Sequence, residues 1–108
     1  MNIDDIAARL EALGNPTRLK IFRILVKAGD LGLPVGKLQD QLGVAPSTLT
    51  HHLQKLMVMG LVTQERQSTV LICRANYPMM RGLVDALVDQ CCADTRDAAI
   101  SAPQKTYP

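Results

Sequence analysis

Two groups of side chains in this sequence are suited to chemistry: one face of a helix predicted at residues 46–59, and the adjacent thiols of Cys91 and Cys92. At about 100° per residue, Leu49, Leu53 and Leu56 share one stripe of that helix. The opposite side carries hydroxyl, imidazole, amide and ammonium groups without a carboxylate, at Ser47, Thr48, Thr50, His51, Gln54 and Lys55. Such groups hydrogen-bond phosphates and base edges in a DNA major groove. The alternative is an ordinary amphipathic surface helix.

Residues on both sides of this helix favour a helix-turn-helix. Gly43 can supply the turn, Pro46 suits a first helical position, and Gly60 is predicted to end the helix at a C-cap. A short helix predicted at residues 34–42 precedes the turn, with two leucines on one face. The segment at residues 42–62 therefore predicts a recognition helix with its entry turn and its exit.

Two strand-like runs follow at residues 61–66 and 70–74, and they predict a hairpin. A hairpin that directly follows a recognition helix can lay its tip beside the sugar-phosphate backbone. The residues that would then donate to phosphate oxygens are Arg66, Gln67, Ser68 and Thr69. The tip contains no glycine, which leaves its turn geometry open. A plain hairpin that covers the core is the alternative.

The net charge of +2 is divided unevenly along the chain. Residues 12–84 hold nine basic residues against three acids, hence +6, while the two ends together carry seven acids and three basic residues, hence −4. A basic middle supplies the salt-dependent, sequence-independent share of DNA affinity. No apolar run reaches the ~20 residues that span a bilayer, and the acidic N-terminus is unlike a signal sequence. We expect a cytoplasmic protein without a membrane partner.

Three further helices are predicted around this motif. The first covers residues 4–13, and Asn15 and Pro16 cap and open the second, which runs to Ala28. Its predicted core side chains are Leu19, Phe22, Leu25 and Val26, and its predicted solvated ones are Arg18, Arg23 and Lys27. A loop follows at residues 29–32. The last helix opens at residues 76–78, and its apolar stripe comprises Met80, Leu83, Val84, Leu87, Val88 and Cys91.

That last stripe has little left to cover inside one small domain, so a two-fold dimer through the first and last helices is the economical arrangement. Two recognition helices would then lie side by side on a palindromic operator. The fold class is mainly α with a β-hairpin: a winged helix-turn-helix of five to six helices. We expect residues 1–92 to form the DNA-binding and dimerisation domain, and residues 93–108 a polar, mobile tail.

With these elements in this order, the chain resembles the arsenic-responsive (ArsR/SmtB) family of winged-helix repressors over about residues 3–92. The segments LEALGNPTRLKIFRIL and STLTHHLQKLMVMGLV, with the hairpin after them, carry the resemblance. It implies a homodimer on double-stranded operator DNA, with no enzymatic activity and no required cofactor. It also implies release from DNA when a metal ion, metalloid, oxidant or other signal binds.

Two metal sites of that family have no counterpart here. The cysteine-valine-cysteine site belongs on the helix before recognition, yet residues 34–42 contain no cysteine. The zinc pattern on the last helix also fails, because the only histidines are His51 and His52. We expect His51 to point outward, where it can contact DNA, and His52 to lean toward the core as a structural side chain.

The pair Cys91 and Cys92 resembles one arsenite-responsive subtype, in which a third cysteine a few residues later completes a three-thiolate site. The tail here contains no third cysteine. Trivalent arsenic is thiophilic and each bond requires a thiolate, so the missing sulfur should weaken arsenite more than a monomethyl arsenical that needs two. As(III) or an organoarsenical is therefore the expected inducer, with Cys91 and Cys92 as its ligands.

Other interpretations of the cysteines remain open. Cys73 could act as a third thiol, although its place in the hairpin favours a buried small side chain. The pair could sense oxidants, although a disulfide between neighbours is strained because adjacent Cα atoms lie ~3.8 Å apart, below the usual ~4.4–6.8 Å. Cys91 could simply extend the apolar stripe, which would leave a ligand-independent repressor. A metal-binding protein, or an enzyme with Cys91 as nucleophile, is a distant alternative without a supporting constellation.

Overall fold

The computed structural model describes residues 1–95. Five α-helices, one 3₁₀ turn and three strands follow in this order: α1 Ile3–Leu13, α2 Pro16–Ala28, the 3₁₀ turn Gly29–Leu31, β1 Leu33–Pro34, α3 Val35–Leu42, α4 Pro46–Val58, β2 Val62–Gln67, β3 Val70–Ala75 and α5 Tyr77–Val88. This is the predicted winged helix-turn-helix. None of the helices within residues 1–95 is long and apolar enough to cross a membrane. The tail predicted at residues 93–108 lies outside the described residues from position 96 onward.

Asparagine side chains cap three of the helices. Asn2 accepts from the backbone N–H of Asp5 at 2.8 Å, in a capping box at the start of α1 that the sequence patterns did not reveal. Asn15 caps α2 as predicted. Asn76 accepts from the backbone N–H of Met79 at 3.3 Å and caps α5. Each such cap contributes about 1 kcal/mol, because it satisfies a backbone donor that the helix leaves without a partner.

The end of α4 is a Schellman motif, which fixes where the hairpin begins. The C-cap is Met59, one residue before the predicted position, and Gly60 follows it with φ +73°. The N–H of Gly60 donates to the carbonyl of Met57, and that of Leu61 donates to Leu56, both at 2.9 Å. Leu56 and Leu61 are both fully buried, and a hydrophobic contact between these two positions commonly accompanies the motif.

The core lies between α2, α3, α4 and the sheet, and the predicted stripe of α4 forms part of it. For α2 the prediction was partly wrong: Leu19 is 43% exposed, whereas Arg18 is only 8% exposed. The buried stripe of α2 follows the spacing 18, 21, 22 and 25, with Ile21 and Leu25 fully buried. Arg18 lies on that stripe and Leu19 lies one residue off it. The arginine is therefore buried and the leucine exposed, the reverse of what their polarity predicts.

The sheet contains one strand more than predicted. β3 lies between β2 and β1, and both neighbours are antiparallel to it. β1 pairs Leu33 with Cys73, and Gly32 permits this approach because a Cβ there would lie 2.5 Å from the carbonyl oxygen of Cys73. A two-residue strand that contains a proline has no periodicity, so only the tertiary pairing identifies it.

The hairpin of β2 and β3 closes through a two-residue turn at Ser68 and Thr69. Ser68 has a φ of +62°, whereas the φ of Thr69 is not positive. A positive φ at the first turn position alone is the type II′ pattern, in which glycine is usual. The turn that the sequence left open therefore places a serine in a backbone region that favours glycine.

Helix α5 ends earlier than the apolar stripe predicted. Its last residue is Val88, and Asp89 leaves the helical conformation with ψ +133°. Cys91 therefore does not extend the stripe, and the cysteine pair lies in a turn beyond the helix. Val84, Leu87 and Val88 remain exposed, as expected for a stripe with nothing left to cover in one chain.

Candidate nucleic-acid interface

The predicted polar face of α4 is exposed on the surface. All six of its side chains are exposed, namely Ser47, Thr48, Thr50, His51, Gln54 and Lys55, while the leucines beneath them are buried. No side chain within residues 1–95 caps the first turn of α4, which also lacks acidic residues. The positive end of the helix dipole and the first backbone N–H groups therefore face outward, where they favour an anion.

One carboxylate lies near this face, from another helix. Glu11 of α1 lines a groove together with His51, Gln54 and Lys55 of α4. The α4 sequence lacks acids, but its surroundings in the fold do not. Glu11 therefore partly offsets the charge of Lys55 in the half of the face toward the end of α4.

The turn before α4 is held by a residue that sequence patterns did not single out. Gly43 adopts the left-handed conformation with φ +70°, as the turn requires. The side-chain amide of Gln39 donates to the carbonyl of Val44 at 3.2 Å, across that turn. Leu38, fully buried, anchors α3 to the core. Gln39 therefore helps to set the angle at which α4 leaves α3.

The wing, defined as the hairpin tip at residues 66–69, is exposed at each of its four residues. Arg66 and Thr69 line a groove against the start of α3, which Lys37 and Asp40 also line. Lys37 was not among the predicted site residues. Its position in the first turn of the helix before the recognition helix is the sequence signal that could have identified it.

A salt bridge braces the wing from behind. The Nη1 atom of Arg74 lies 2.7 Å from Oε1 of Glu65, and its Nε donates to the carbonyl of Asp30 at 2.8 Å. Gln67 also donates to Glu65, at 3.4 Å. The hydrogen bond from Arg74, followed by that from Gln67, lowers the pKa of Glu65. Arg74 and the buried Arg18 are thus engaged within the fold, and the basic surface is smaller than the charge count of the sequence suggests.

The two adjacent histidines differ in environment, as predicted. His51 is exposed, whereas His52 is half-buried with its Nδ1 3.3 Å from Nη1 of Arg18. Their ring centroids are 5.8 Å apart. Burial, then the charge of Arg18 and that of His51, lower the pKa of His52 below its ordinary value.

The adjacent cysteines form a second candidate site. Both are exposed and their Sγ atoms lie 3.6 Å apart, in a turn where Gln90 and Cys92 have φ of +60° and +63°. Two metal–sulfur bonds of ~2.3 Å can bridge sulfurs up to ~4.6 Å apart, so one soft atom can bind both. Within residues 1–95 no group of three or more metal-ligating His, Cys, Asp or Glu side chains occurs. The hydrogen bond and charge of Cys92 raise the pKa of Cys91.

Cys73 is fully buried in β3 and accepts a hydrogen bond from Gln64 at 3.4 Å. Burial raises the pKa of its thiol. Its interpretation as a small buried side chain is confirmed.

Known proteins share this arrangement. A family described as a helix-turn-helix domain matches residues 13–65. The nodulation protein NolR of Rhizobium meliloti is 33% identical over 83 residues, which cover 77% of this chain and 66% of NolR. The biofilm growth-associated repressor of Xylella fastidiosa strain 9a5c is 30% identical over 95 residues, 88% of this chain and 81% of the repressor.

A solved structure matches the same fold. It is the homodimeric winged helix-turn-helix DNA-binding domain of a possible ArsR-family transcriptional regulator from Mycobacterium bovis. It superposes with a TM-score of 0.66 at 28% identity, covering 94% of this chain and 90% of that one.

Proposed function

The chain belongs to the ArsR family of winged helix-turn-helix transcriptional regulators, and from that premise we propose that it is a homodimeric repressor of transcription that binds operator DNA. The members of this family are DNA-binding regulators rather than enzymes. The observation that carries the proposal is the exposed polar face of α4, with an open first turn and buried leucines beneath it.

In this proposal α4 lies in the major groove and the wing follows the backbone. The amide of Gln54 and the imidazole of His51, in the middle of the exposed face, read base edges, as does the hydroxyl of Thr50. Phosphates are bound by groups at the periphery, namely Ser47, Thr48, Lys55, Arg66, Gln67, Ser68 and Thr69. Lys37 joins them across the groove that it lines with Arg66.

The dimer is supported by apolar side chains that a single chain leaves uncovered. Ile3 in α1 is 75% exposed and Leu87 in α5 is 57% exposed, and Leu10, Val84 and Val88 accompany them. Burying such side chains gains ~25 cal/mol per Å² of apolar surface. The Mycobacterium bovis domain, similar over 94% of this chain, is homodimeric. Two-fold symmetry would present two α4 helices to half-sites about one helical turn of DNA apart, hence a palindromic operator.

We further propose that a thiophilic ligand, As(III) or an organoarsenical, binds Cys91 and Cys92 and releases the operator. The 3.6 Å separation of their sulfurs suits one atom bound by both. A redox switch is the weaker candidate, because a disulfide between neighbouring cysteines is strained by adjacent Cα atoms that lie only ~3.8 Å apart.

A fluorescence-anisotropy titration on the promoter upstream of its own gene tests both halves. We expect salt-dependent binding, and release by methylarsenite at lower concentration than by arsenite. Zinc and peroxide serve as the competing signals. Release by peroxide alone would favour the redox alternative. If none of the four compounds releases the DNA, the result would favour a ligand-independent repressor. The double variant Cys91→Ser/Cys92→Ser should bind DNA normally and ignore the arsenicals; normal release of that variant would overturn the sensor assignment.

A further inference from the structure

Arg18 is the one buried charged side chain within residues 1–95, at 8% exposure, and no carboxylate of this part of the chain pairs with it. Its Nε donates to the carbonyl of Ala12 at 2.7 Å, in the last turn of α1. The carbonyl end of a helix carries partial negative charge, which compensates the guanidinium there. A buried charge is costly unless its donors are satisfied, so the remaining contact of Arg18 matters.

That remaining contact reaches the recognition helix. Nη1 of Arg18 lies 3.3 Å from Nδ1 of His52, which is half-buried on the inner side of α4. A guanidinium has donors and no acceptor, so Nδ1 of His52 must accept. The imidazole in this contact is therefore neutral, with its proton on Nε2. A protonated ring would place an N–H against the guanidinium and a second positive charge beside it.

We propose that Arg18 is a positioning residue for DNA binding: it ties α4 to the end of α1 through unprotonated His52, so that protonation of His52 loosens α4 and weakens operator binding. The inference rests on the proposed DNA-binding function. His52 directly follows His51, so a displaced His52 ring also moves a side chain of the exposed face.

The charged groups around His52 come from several elements. Arg18 faces it from α2, and His51 lies beside it in α4. From α1, Glu11 lines the groove that holds His51, and Lys55 of α4 lines the same groove. Burial and two positive neighbours hold the pKa of His52 below 6.5, so the contact breaks only on acidification.

Protonation of His52 acts through the contact with Arg18 and weakens binding. The variant His52→Asn isolates this effect, because an asparagine amide oxygen can replace Nδ1 as acceptor and does not titrate.

The test measures binding to labelled promoter DNA between about pH 8 and pH 5, the range in which histidine titrates, at constant ionic strength. Wild type should weaken about tenfold relative to His52→Asn as the pH falls, within the range usual for coupled sites. The variant His51→Asn should still lose DNA affinity as the pH falls, as wild type does. Thermal unfolding at each pH verifies that every variant is folded. Parallel pH profiles of wild type and His52→Asn would overturn the inference.

A matched pair of arginine variants tests the same contact without a pH change. Arg18→Lys keeps the charge but not the fork that reaches both acceptors, and it should weaken binding at about pH 8. Arg23→Lys, at an exposed position of the same helix, should not. Equal affinities of these two variants would contradict the positioning role.

The last readout does not require DNA. The ¹⁵N shifts of His52 should show an unprotonated Nδ1 in wild type, and Arg18→Lys should raise the pKa of that ring; an unchanged pKa would contradict the contact. Failure of wild type to bind promoter DNA at any pH would instead contradict the function on which the inference rests.

Discussion

The side-chain amide of Asn76 donates to the backbone carbonyl of Gly60 at 2.8 Å. The same residue donates its backbone N–H to the carbonyl of Leu61 at 2.9 Å and caps α5 by accepting from Met79. The exit of α4 and the start of α5 therefore share one residue. Since Cys91 and Cys92 follow the other end of α5, Asn76 lies on the direct route from the thiols to the candidate DNA-binding face.

Replacing Asn76 with aspartate should destabilise the fold by about 1–3 kcal/mol. The aspartate can still cap α5, but its second oxygen would face the carbonyl of Gly60 in place of a donor. Urea unfolding measures the change. Asn15→Asp is the matched control, because Asn15 makes cap contacts only, and it should change stability by a few tenths of a kcal/mol at most. Equal losses in the two variants would contradict the bridging role.

Lys55→Ala should weaken binding to promoter and unrelated DNA to a similar extent and reduce the salt dependence by about one unit of slope, as expected for a lost phosphate contact. Lys20→Ala, an exposed lysine of α2, is the control. Affinity measured at several salt concentrations gives the slope. An unchanged slope for Lys55→Ala would exclude Lys55 from the interface.

Ser68→Gly should raise the free energy of unfolding by up to about 1 kcal/mol, because glycine adopts the φ of +62° with less strain. Thr69→Gly should instead lower the free energy of unfolding by about 0.5–1 kcal/mol. Thr69 has no positive φ whose strain glycine would relieve, and glycine adds entropy to the unfolded chain. Thermal unfolding compares them. A gain from Thr69→Gly rather than Ser68→Gly would mean that the turn has another geometry.

The Glu65–Arg74 salt bridge should contribute stability at neutral pH that disappears in acid. The pKa of Glu65 is lower in the folded chain than its ordinary value of 4.5. A carboxylate with a depressed pKa stabilises the fold above its unfolded pKa, and that contribution is lost as the pH falls through the folded value. Wild type and Glu65→Gln should therefore differ in stability at neutral pH and converge in acid, in urea unfolding across pH. A difference that grows in acid would refute this.

Cys91 should react slowly with iodoacetamide at neutral pH and faster as the pH rises toward and above 9, because Cys92 raises its pKa. Cys92→Ser removes the neighbouring thiol charge and should accelerate the alkylation of Cys91 near pH 8. Mass spectrometry of the native protein follows each site. Cys73, fully buried, should stay unmodified. Slower alkylation of Cys91 in Cys92→Ser would contradict a Cys91 pKa that is raised by Cys92.

The helices and the helix-turn-helix could be predicted from sequence because their signals are local. Caps such as Asn15, turn glycines such as Gly43 and leucines at helical spacing act within a few residues of each other. The burial of Arg18 could not be predicted from sequence, because it depends on two distant hydrogen-bond partners, a carbonyl of α1 and a histidine of α4. The end of α5 was also missed, since the apolar spacing continues past Val88 without a glycine or proline to stop it.

The most direct test of the central claim, that the outer face of α4 reads operator DNA, compares two labelled duplexes of equal length at one salt concentration. One comes from the promoter upstream of the gene, and the other has the same bases in scrambled order. We expect the promoter to be bound at least about 10³-fold more tightly, and the triple variant Thr50→Ala/His51→Ala/Gln54→Ala to lose most of that preference while it still binds the scrambled duplex. Equal affinity of wild type for both duplexes, or a preference that survives the triple variant, would contradict the claim.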